Sequence, residues 1–319
     1  MTDARRITLA NGACTAVFTD LGARLLELHV PDAHGTLADV VLGRPSLAEV
    51  DEAYMGATVG RCANRIRDGR VDIDGVPIRL SRNEGGNHLH GGSRGFDRMI
   101  WSAAEEGDAV VFSRISPAGE EGYPGALAVS VTYRLVGTSL SVDVRATTDA
   151  PTIVNVVHHS YVNLGGHDAG TVADHVLLVR GSAYLPVDGA LLPTGEIRAV
   201  AGTPFDFRTP APIGGTGVDV DHTWVLDGAG TREVAVLVDP ASGRRMSVST
   251  DQPGLQVYAG GHLGGLTAKG GAGTYRAGAG VALEAQHFPD TPNHRHFPSI
   301  ALRPGETYAS TVRFDFTAQ

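Results

Sequence analysis

Two adjacent histidines stand in a segment that otherwise reads as a β-strand, APTIVNVVHHSYVNLGG at 150–166. Neighbouring side chains on a strand point to opposite faces, so His158 and His159 cannot both face one site. An imidazole titrates near neutral pH and can donate or accept a proton in catalysis. The pattern predicts one catalytic and one structural histidine, and from spacing alone either residue could take either role.

One carboxylate interrupts the apolar run VALEA, which opens the segment VALEAQHFPD near the C-terminus. Glu284 stands between Leu283 and Ala285, so a strand here would bury it or hold it in a pocket. Burial raises the pKa of a carboxyl group, whereas a neighbouring arginine or hydroxyl group lowers it. Glu284 is therefore a candidate general base, and a buried salt-bridge partner is the alternative.

Further polar residues are crowded among glycines in segments that interrupt the strand pattern, which is typical of a site on loops above a rigid sheet. His88 and His90, in NHLHGG, would share one strand face as a metal pair, an acid–base pair or two surface histidines. No third ligand has a diagnostic spacing, which disfavours the metal. Asn64 and Arg65, in ANRI, suit sugar hydroxyls or a carboxylate, and Asp221 adds a carboxylate in VDHTW.

The elements that must position these residues are predicted to be short antiparallel strands. Asn-Gly in RITLANGACTAVF and Asp-Gly in RVDIDGVPIRL supply the positive φ angles of two-residue hairpins. Period-two alternation continues through 126–147 and to the C-terminus, while RPSLAEVDEAYMG could form a helical turn or two near Ser46. With no repeat and no linker, we expect one all-β domain over 1–319, a large antiparallel β-sandwich with few short helices.

Composition excludes several classes of protein. The 319 residues carry a net charge of −9, so the chain lacks the basic footprint of a nucleic-acid binder. Lys269 is the one lysine, which leaves a single candidate for Schiff-base chemistry. Two cysteines form no disulfide framework or zinc cluster, and no signal peptide or membrane span is visible. We expect a cytoplasmic protein with neither a nucleic-acid nor a membrane partner.

Taken together, the segments resemble the aldose 1-epimerases, or galactose mutarotases. The matching pieces occur in family order and cover essentially the whole chain: GRCANRI, NHLHGGSRGFD, FSRISPAGEEGYPG, NVVHHSYVNLGG, YLPVDGALLPTGEI, GTPFDFR, VDHTW, TDQPGLQVYAG, LEAQHFPDTPN and FPSIALRPGETY. The resemblance implies a large β-sandwich and an enzyme without cofactor or metal. Such an enzyme interconverts the α and β anomers of free aldohexoses such as galactose and glucose by opening and reclosing the ring.

The resemblance also implies roles for individual residues. The family's base corresponds to Glu284, and its principal acid corresponds to His159, because family members usually read NHSY where this chain reads HHSY. His90 corresponds to a second histidine that donates to an oxygen of the reacting centre. The sugar-binding residues correspond to the following four: Asn64, Arg65, Asp221 and Gln256. His88 receives no role.

Two departures and three alternatives stay open at this point. Cys62 and His158 replace residues common in the family, next to site positions rather than at them. A non-catalytic carbohydrate-binding protein would need no acid–base pair, and a hexose-6-phosphate epimerase would want further arginines, for which Arg94 and Arg98 are candidates. A metal-dependent hydrolase lacks a ligand set. We expect a sugar as the small-molecule partner, and a monomer or a homodimer.

Overall fold

The computed structural model describes residues 4–46 and 53–318. Nearly all regular structure within them is β-strand, and the helical segments are 3-10 turns of three or four residues: Arg67–Gly69, Phe96–Arg98, Glu120–Gly122, Ile213–Thr216, Gly261–Leu263, Lys269–Gly271 and Thr291–Asn293. The helical turn expected near Ser46 falls mainly outside the described residues. No described helix has the length and apolar character that crossing a bilayer would require.

The strands of the first half are, in chain order, β1 (Arg6–Ala10), β2 (Thr15–Thr19), β3 (Arg24–Pro31), β4 (Leu37–Asp39), β5 (Ala57–Val59), β6 (Arg65–Ile66), β7 (Arg70–Ile73), β8 (Val76–Arg79), β9 (His88–Leu89), β10 (Ser102–Glu106), β11 (Ala109–Ser116), β12 (Leu127–Val136), β13 (Ser139–Thr148), β14 (Thr152–Ile153), β15 (Val157–His159) and β16 (Tyr161–Val162).

The second half adds β17 (Val176–Val179), β18 (Ala183–Leu185), β19 (Arg198–Ala199), β20 (Ala211–Pro212), β21 (Asp221–Val225), β22 (Arg232–Val238), β23 (Arg244–Thr250), β24 (Gly254–Tyr258), β25 (Val281–Gln286), β26 (Ala301–Leu302) and β27 (Tyr308–Ala318).

Two large antiparallel sheets form the sandwich, which confirms the predicted fold class. One has nine strands in the order β10-β11-β12-β13-β27-β23-β22-β17-β20, and the other has six in the order β16-β25-β24-β21-β18-β19. A four-stranded sheet, β1-β2-β3-β4, adds further side chains to the same core. The Asp-Gly hairpin is confirmed: β7 pairs with β8 through Asp74 and Gly75, both at positive φ. β1 also pairs with β2, but the prediction of a two-residue turn there is wrong, because the last pair is Ala10 with Thr15 and only Gly12 of the Asn-Gly pair has positive φ.

The sandwich core follows from the alternation along the strands. On β12, Val129, Val131 and Tyr133 are buried while the residues between them are more exposed. These side chains belong to the same buried cluster as Leu255 and Leu283 of the six-stranded sheet. Because alternate residues of β24 and β25 are taken up by the core, the intervening residues project from the opposite face of that sheet.

The single lysine of the chain makes two polar contacts beside the four-stranded sheet. Lys269 Nζ donates to the backbone oxygen of Leu26 at 2.6 Å and contacts Asp39 Oδ2 at 2.6 Å. Its side chain is only 12% exposed, so the ammonium group is held by these two partners rather than by water.

Candidate active site

Three neighbouring strands place polar side chains on one face of the six-stranded sheet. In the register of β21, β24 and β25, Thr223 lies opposite Gln256, and Gln256 lies opposite Glu284. Asp221 is two residues before Thr223 on β21 and therefore shares its face. A two-residue period thus brings Asp221, Gln256 and Glu284 together although the sequence separates them widely.

A short strand above this face supplies the histidine. β15 pairs with β5, and His159 lies opposite Ala57 in that pair. His159 Nε2 is 3.6 Å from Glu284 Oε1, and both side chains are less than 5% exposed. His158 faces the other way, as the alternation predicts: its Nδ1 is 3.1 Å from the Tyr133 hydroxyl, and its ring packs on Phe314.

Burial shifts the proton affinities of the His159–Glu284 pair in opposite directions. Burial, and then the charge of Asp221, raises the pKa of Glu284 to about 8, against a lowering effect of Arg65. Burial lowers the pKa of His159 to about 4, with the charge of Arg24 acting in the same direction. Between these values the pair holds one titratable proton, and the pKa values place that proton on Glu284.

His90 is fixed as a neutral hydrogen-bond donor. The backbone N–H of Asn64 donates to His90 Nδ1 at 3.2 Å, so the neutral ring carries its proton on Nε2. Burial holds the pKa of His90 well below its usual value, and the charge of His159 acts in the same direction. Gly91 follows at φ +92°, where a Cβ atom would lie 1.7 Å from the Gly60 oxygen, so this position requires glycine.

The guanidinium group of Arg65 is held by a carboxylate at the edge of the cavity. Arg65 Nε donates to Glu84 Oε2 at 2.9 Å, and Nη2 donates to Oε1 at 2.6 Å. The side-chain oxygen of Asn64 accepts from the Arg65 backbone N–H at 2.8 Å. Sequence reasoning named Asn64 and Arg65 as candidate sugar-binding residues but missed Glu84, which lies just before the NHLHGG segment.

Asp221 is oriented by a chain of polar side chains on the sheet face. Gln256 Nε2 donates to Asp221 Oδ1 at 2.5 Å, and the Thr223 hydroxyl donates to the other end of the same amide, Gln256 Oε1. Gln286 Nε2 lies 3.5 Å from that hydroxyl. The amide of Gln256 therefore has a defined orientation, and it links the cavity to the interior of the sheet.

These groups line one cavity of about 390 Å³, large enough for a monosaccharide-sized ligand. It includes all seven residues predicted for the site: Asn64, Arg65, His90, His159, Asp221, Gln256 and Glu284. Glu284 Oε2 is buried with no hydrogen-bond partner among the described residues. The wall that sequence reasoning missed is formed by Ala53, Tyr54, Glu84, Leu89, Tyr161, Tyr258, His262, Leu263 and Leu266.

Two residues close to the site in sequence point away from it. His88 Nε2 is 2.6 Å from the Tyr123 hydroxyl, and its Nδ1 is 2.8 Å from the Ser81 backbone oxygen. Cys62 is buried with the apolar side chains around Ile66, and burial raises the pKa of its thiol to about 12. His88 is thus a structural residue, and Cys62 packs as a small apolar group.

One grouping of described residues could hold a metal ion, and it lies outside this cavity. Ligand atoms of Glu27, His29 and Asp39 are within 4.8 Å of one another. Cations of the chain already contact both carboxylates: Arg6 pairs with Glu27, and Lys269 pairs with Asp39. The pair of His88 and His90 belongs to no such grouping in the described ranges.

Known proteins are similar to this chain in both fold and sequence. The crystal structure of a GalM/aldose epimerase homologue from C. elegans matches with a TM-score of 0.93 at 33% identity, covering 99% of each chain. Galactose 1-epimerase from Lactobacillus acidophilus matches with a TM-score of 0.87 at 30% identity, covering 99% of this chain and 95% of that one. The fold is that of the galactose mutarotases.

The sequence relatives agree with the structural ones. Galactose mutarotase of Bos taurus is 43% identical over 305 residues, which cover 93% of this chain and 89% of that protein. Aldose 1-epimerase of Escherichia coli K12 is 37% identical over 333 residues, with 99% and 96% covered. A family model described as aldose 1-epimerase matches residues 5–315. The chain therefore belongs to the aldose 1-epimerase family, whose enzymes are isomerases.

Proposed function

We propose that this protein interconverts the α and β anomers of free aldohexoses, galactose and glucose among them, by acid–base ring opening and reclosure. The observation that carries the proposal is the contact of 3.6 Å between His159 Nε2 and Glu284 Oε1 inside the cavity. The names of its relatives, galactose mutarotase and aldose 1-epimerase, support the same reaction. We also propose one domain over 1–319, because one buried cluster extends from Ile7 to Phe316.

In the proposed reaction Glu284 is the base and His159 is the acid. Glu284 takes the proton of the C1 hydroxyl while the bond between C1 and the ring oxygen breaks and a C1 carbonyl forms. His159 gives its proton to the ring oxygen. After rotation about C1–C2, both transfers run backwards on the other carbonyl face, so protons balance over one turnover. Burial favours the neutral form of the pair, and the reactive ion-pair form contains the same single proton.

The remaining groups are proposed to hold the sugar. His90 donates through Nε2 to an oxygen of the reacting centre. Asp221 accepts from ring hydroxyls, Gln256 orients that carboxylate, and Arg65 and Asn64 bind further oxygens. A cavity that fixes these hydroxyls lowers the entropy cost of reaching the reactive geometry.

Polarimetry of freshly dissolved α-D-glucose and α-D-galactose tests the proposal. The wild-type protein should accelerate the approach to the equilibrium rotation, and His159→Ala and Glu284→Gln should each lose about 10²–10⁴-fold of that acceleration. No acceleration by the wild type with either sugar, at micromolar protein and with the fold intact by circular dichroism, would refute it. Full activity of Glu284→Gln would refute only the base assignment.

The alternatives have less support from the site. A protein that only binds sugar has no use for a buried carboxylate facing a buried imidazole. A sugar phosphate needs additional cationic groups, yet Arg65 is the one arginine or lysine among the described residues that line the cavity. Arg94 and Arg98 do not line it.

A further inference from the structure

Arg65 shares the cavity with three carboxylates. Glu84 receives two of its N–H groups in a bidentate contact. Asp221 and Glu284 line the same cavity without a hydrogen bond from Arg65 in the described residues. Arg65 is close enough to influence both: after burial, which raises the pKa of each carboxyl group, Arg65 is a cause that lowers it. A bidentate arginine–carboxylate contact is the stronger and more directional of the available arrangements.

The carboxylate of Glu84 is itself held in place by a braced turn. The backbone N–H and oxygen of Glu84 both bond to the backbone of Asn87, and Gly85 and Gly86 between them have positive φ. The Asn83 side chain bonds to both backbone groups of Leu89, which pairs with Arg65 itself. The turn and the arginine strand thus form one unit, and Glu84 is presented to the guanidinium group from fixed backbone.

The contact with Glu84 uses Nε and Nη2 of Arg65. The remaining amino group, Nη1, finds no hydrogen-bond acceptor in the parts of the chain that the structure describes. The side chain of Arg65 is 13% exposed and lines the cavity, where a bound ligand would replace water at this amino group. Its available donor hydrogens match the hydroxyl oxygens of a sugar.

We propose that Glu84 is a positioning residue, which directs Arg65 Nη1 toward the sugar and keeps the guanidinium group from pairing with Glu284 and Asp221. Without this carboxylate, the anionic groups that remain with Arg65 in the cavity are Asp221 and Glu284, and the charge of Arg65 already acts on both. An ion pair with Arg65 would occupy the carboxylate of Glu284, the proposed base. It would also occupy Asp221, which is proposed to accept hydrogen bonds from the sugar. The inference rests on the proposed function, because it names a residue that prepares the same site.

Glu84→Gln tests this, because the amide keeps the size of the side chain but removes its charge and one of the two acceptors. We expect kcat/KM in the polarimetric assay to fall about 10- to 100-fold, with a raised KM as well as a lowered kcat. The matched control is Asp188→Asn: Asp188 also pairs with an arginine, Arg67, at 2.8 Å, and its side chain is equally exposed at 35%. The control should retain wild-type KM and kcat.

A double variant separates positioning from general damage. If Glu84 acts through Arg65, then Glu84→Gln in an Arg65→Ala background should lower kcat/KM by less than about twofold further. A further tenfold loss in that background, or a KM of Glu84→Gln within about twofold of the wild type, would overturn the inference. An inactive wild type would instead refute the proposed function, and this inference with it.

Discussion

The two faces of residues 157–162 have different surroundings although both are buried. His159 and Tyr161 line the cavity, whereas His158, Ser160 and Val162 lie on the side of the core. Burial lowers the pKa of both imidazoles, that of His158 to about 3 and that of His159 to about 4. Burial and pKa therefore do not distinguish a catalytic histidine from a structural one.

The contacts of the two rings make the difference. His158 Nδ1 meets the hydroxyl of Tyr133, which stays protonated near neutral pH because burial raises the pKa of that tyrosine above its already high value. His159 Nε2 meets Glu284, a carboxyl group with a pKa of about 8, in a cavity open to a ligand. A neighbour that titrates near neutral pH, together with ligand access, is what the proposed catalytic face requires.

The largest expected difference between the two faces is in kcat/KM, when the histidine on each face is replaced by asparagine. His159→Asn is expected to lower kcat/KM by about 10²–10⁴-fold, because asparagine cannot transfer the proton. His158→Asn is expected to lower kcat/KM by less than about 10²-fold, because it changes only a core contact. Polarimetric kcat/KM of both folded variants measures this. Equal losses would contradict the division of roles.

The second difference concerns pH. With pKa values of about 4 for His159 and about 8 for Glu284, the pair holds one proton between these values. We expect kcat/KM to be level there and to fall about tenfold per pH unit outside, as a second proton binds on the acid side or the last one leaves on the alkaline side. The His158→Asn variant should show the same falls in kcat/KM on the acid and the alkaline side. If kcat/KM instead fell below about pH 6.5, the pKa of His159 would have its ordinary value, and the expectation would be wrong.

A third effect lies in stability. Because the pKa of Glu284 is raised from 4.5 to about 8 on folding, the protein should lose stability as pH rises between these values and no further above them. Glu284→Gln abolishes this titration, so its free energy of unfolding relative to wild type should increase by a few kcal/mol between pH 5 and pH 9, with roughly 5 kcal/mol as the upper limit. Urea unfolding at both pH values measures it, and a constant difference would contradict it.

The smallest effect belongs to the core face. Tyr133→Phe removes a hydroxyl that donates to the Ala23 backbone oxygen at 2.9 Å and contacts His158. We expect a loss of about 1–3 kcal/mol in the free energy of unfolding, because the buried Ala23 oxygen loses one of its two donors and His158 Nδ1 loses its hydrogen-bonding partner. The kcat/KM value should remain that of the wild type. Loss of activity without loss of stability would place His158 in the catalytic machinery.

Much of the fold could be predicted because its signals are local. Asn-Gly and Asp-Gly mark hairpins, and alternation marks β12 and β13, since both depend on neighbours a few residues apart. The same alternation separates His158 from His159. Strand period also explains why Asp221, Gln256 and Glu284 share one face, although only the resemblance to a family indicated that their strands are neighbours.

The rest of the site depends on contacts between residues that are distant in sequence, which a short stretch of sequence does not indicate. Glu84 is significant because a turn brings it to Arg65, and Tyr54 because its ring lies 4.6 Å from that of His90. His88 gains its structural role from Tyr123, which is 35 residues away. Long-range pairings of this kind require the folded chain, because residue type alone does not name the partner.

The contacts of Lys269 also affect whether its amine can react with the aldehyde that forms in the proposed reaction. An opened aldose is an aldehyde, and aldehydes condense with free amines, whereas the guanidinium groups of arginine stay protonated and do not react in this way. All other basic aliphatic side chains here are arginines, and the one lysine amine is engaged by Asp39 and Leu26. These contacts thus limit the access of an open-chain sugar to the sole side-chain amine.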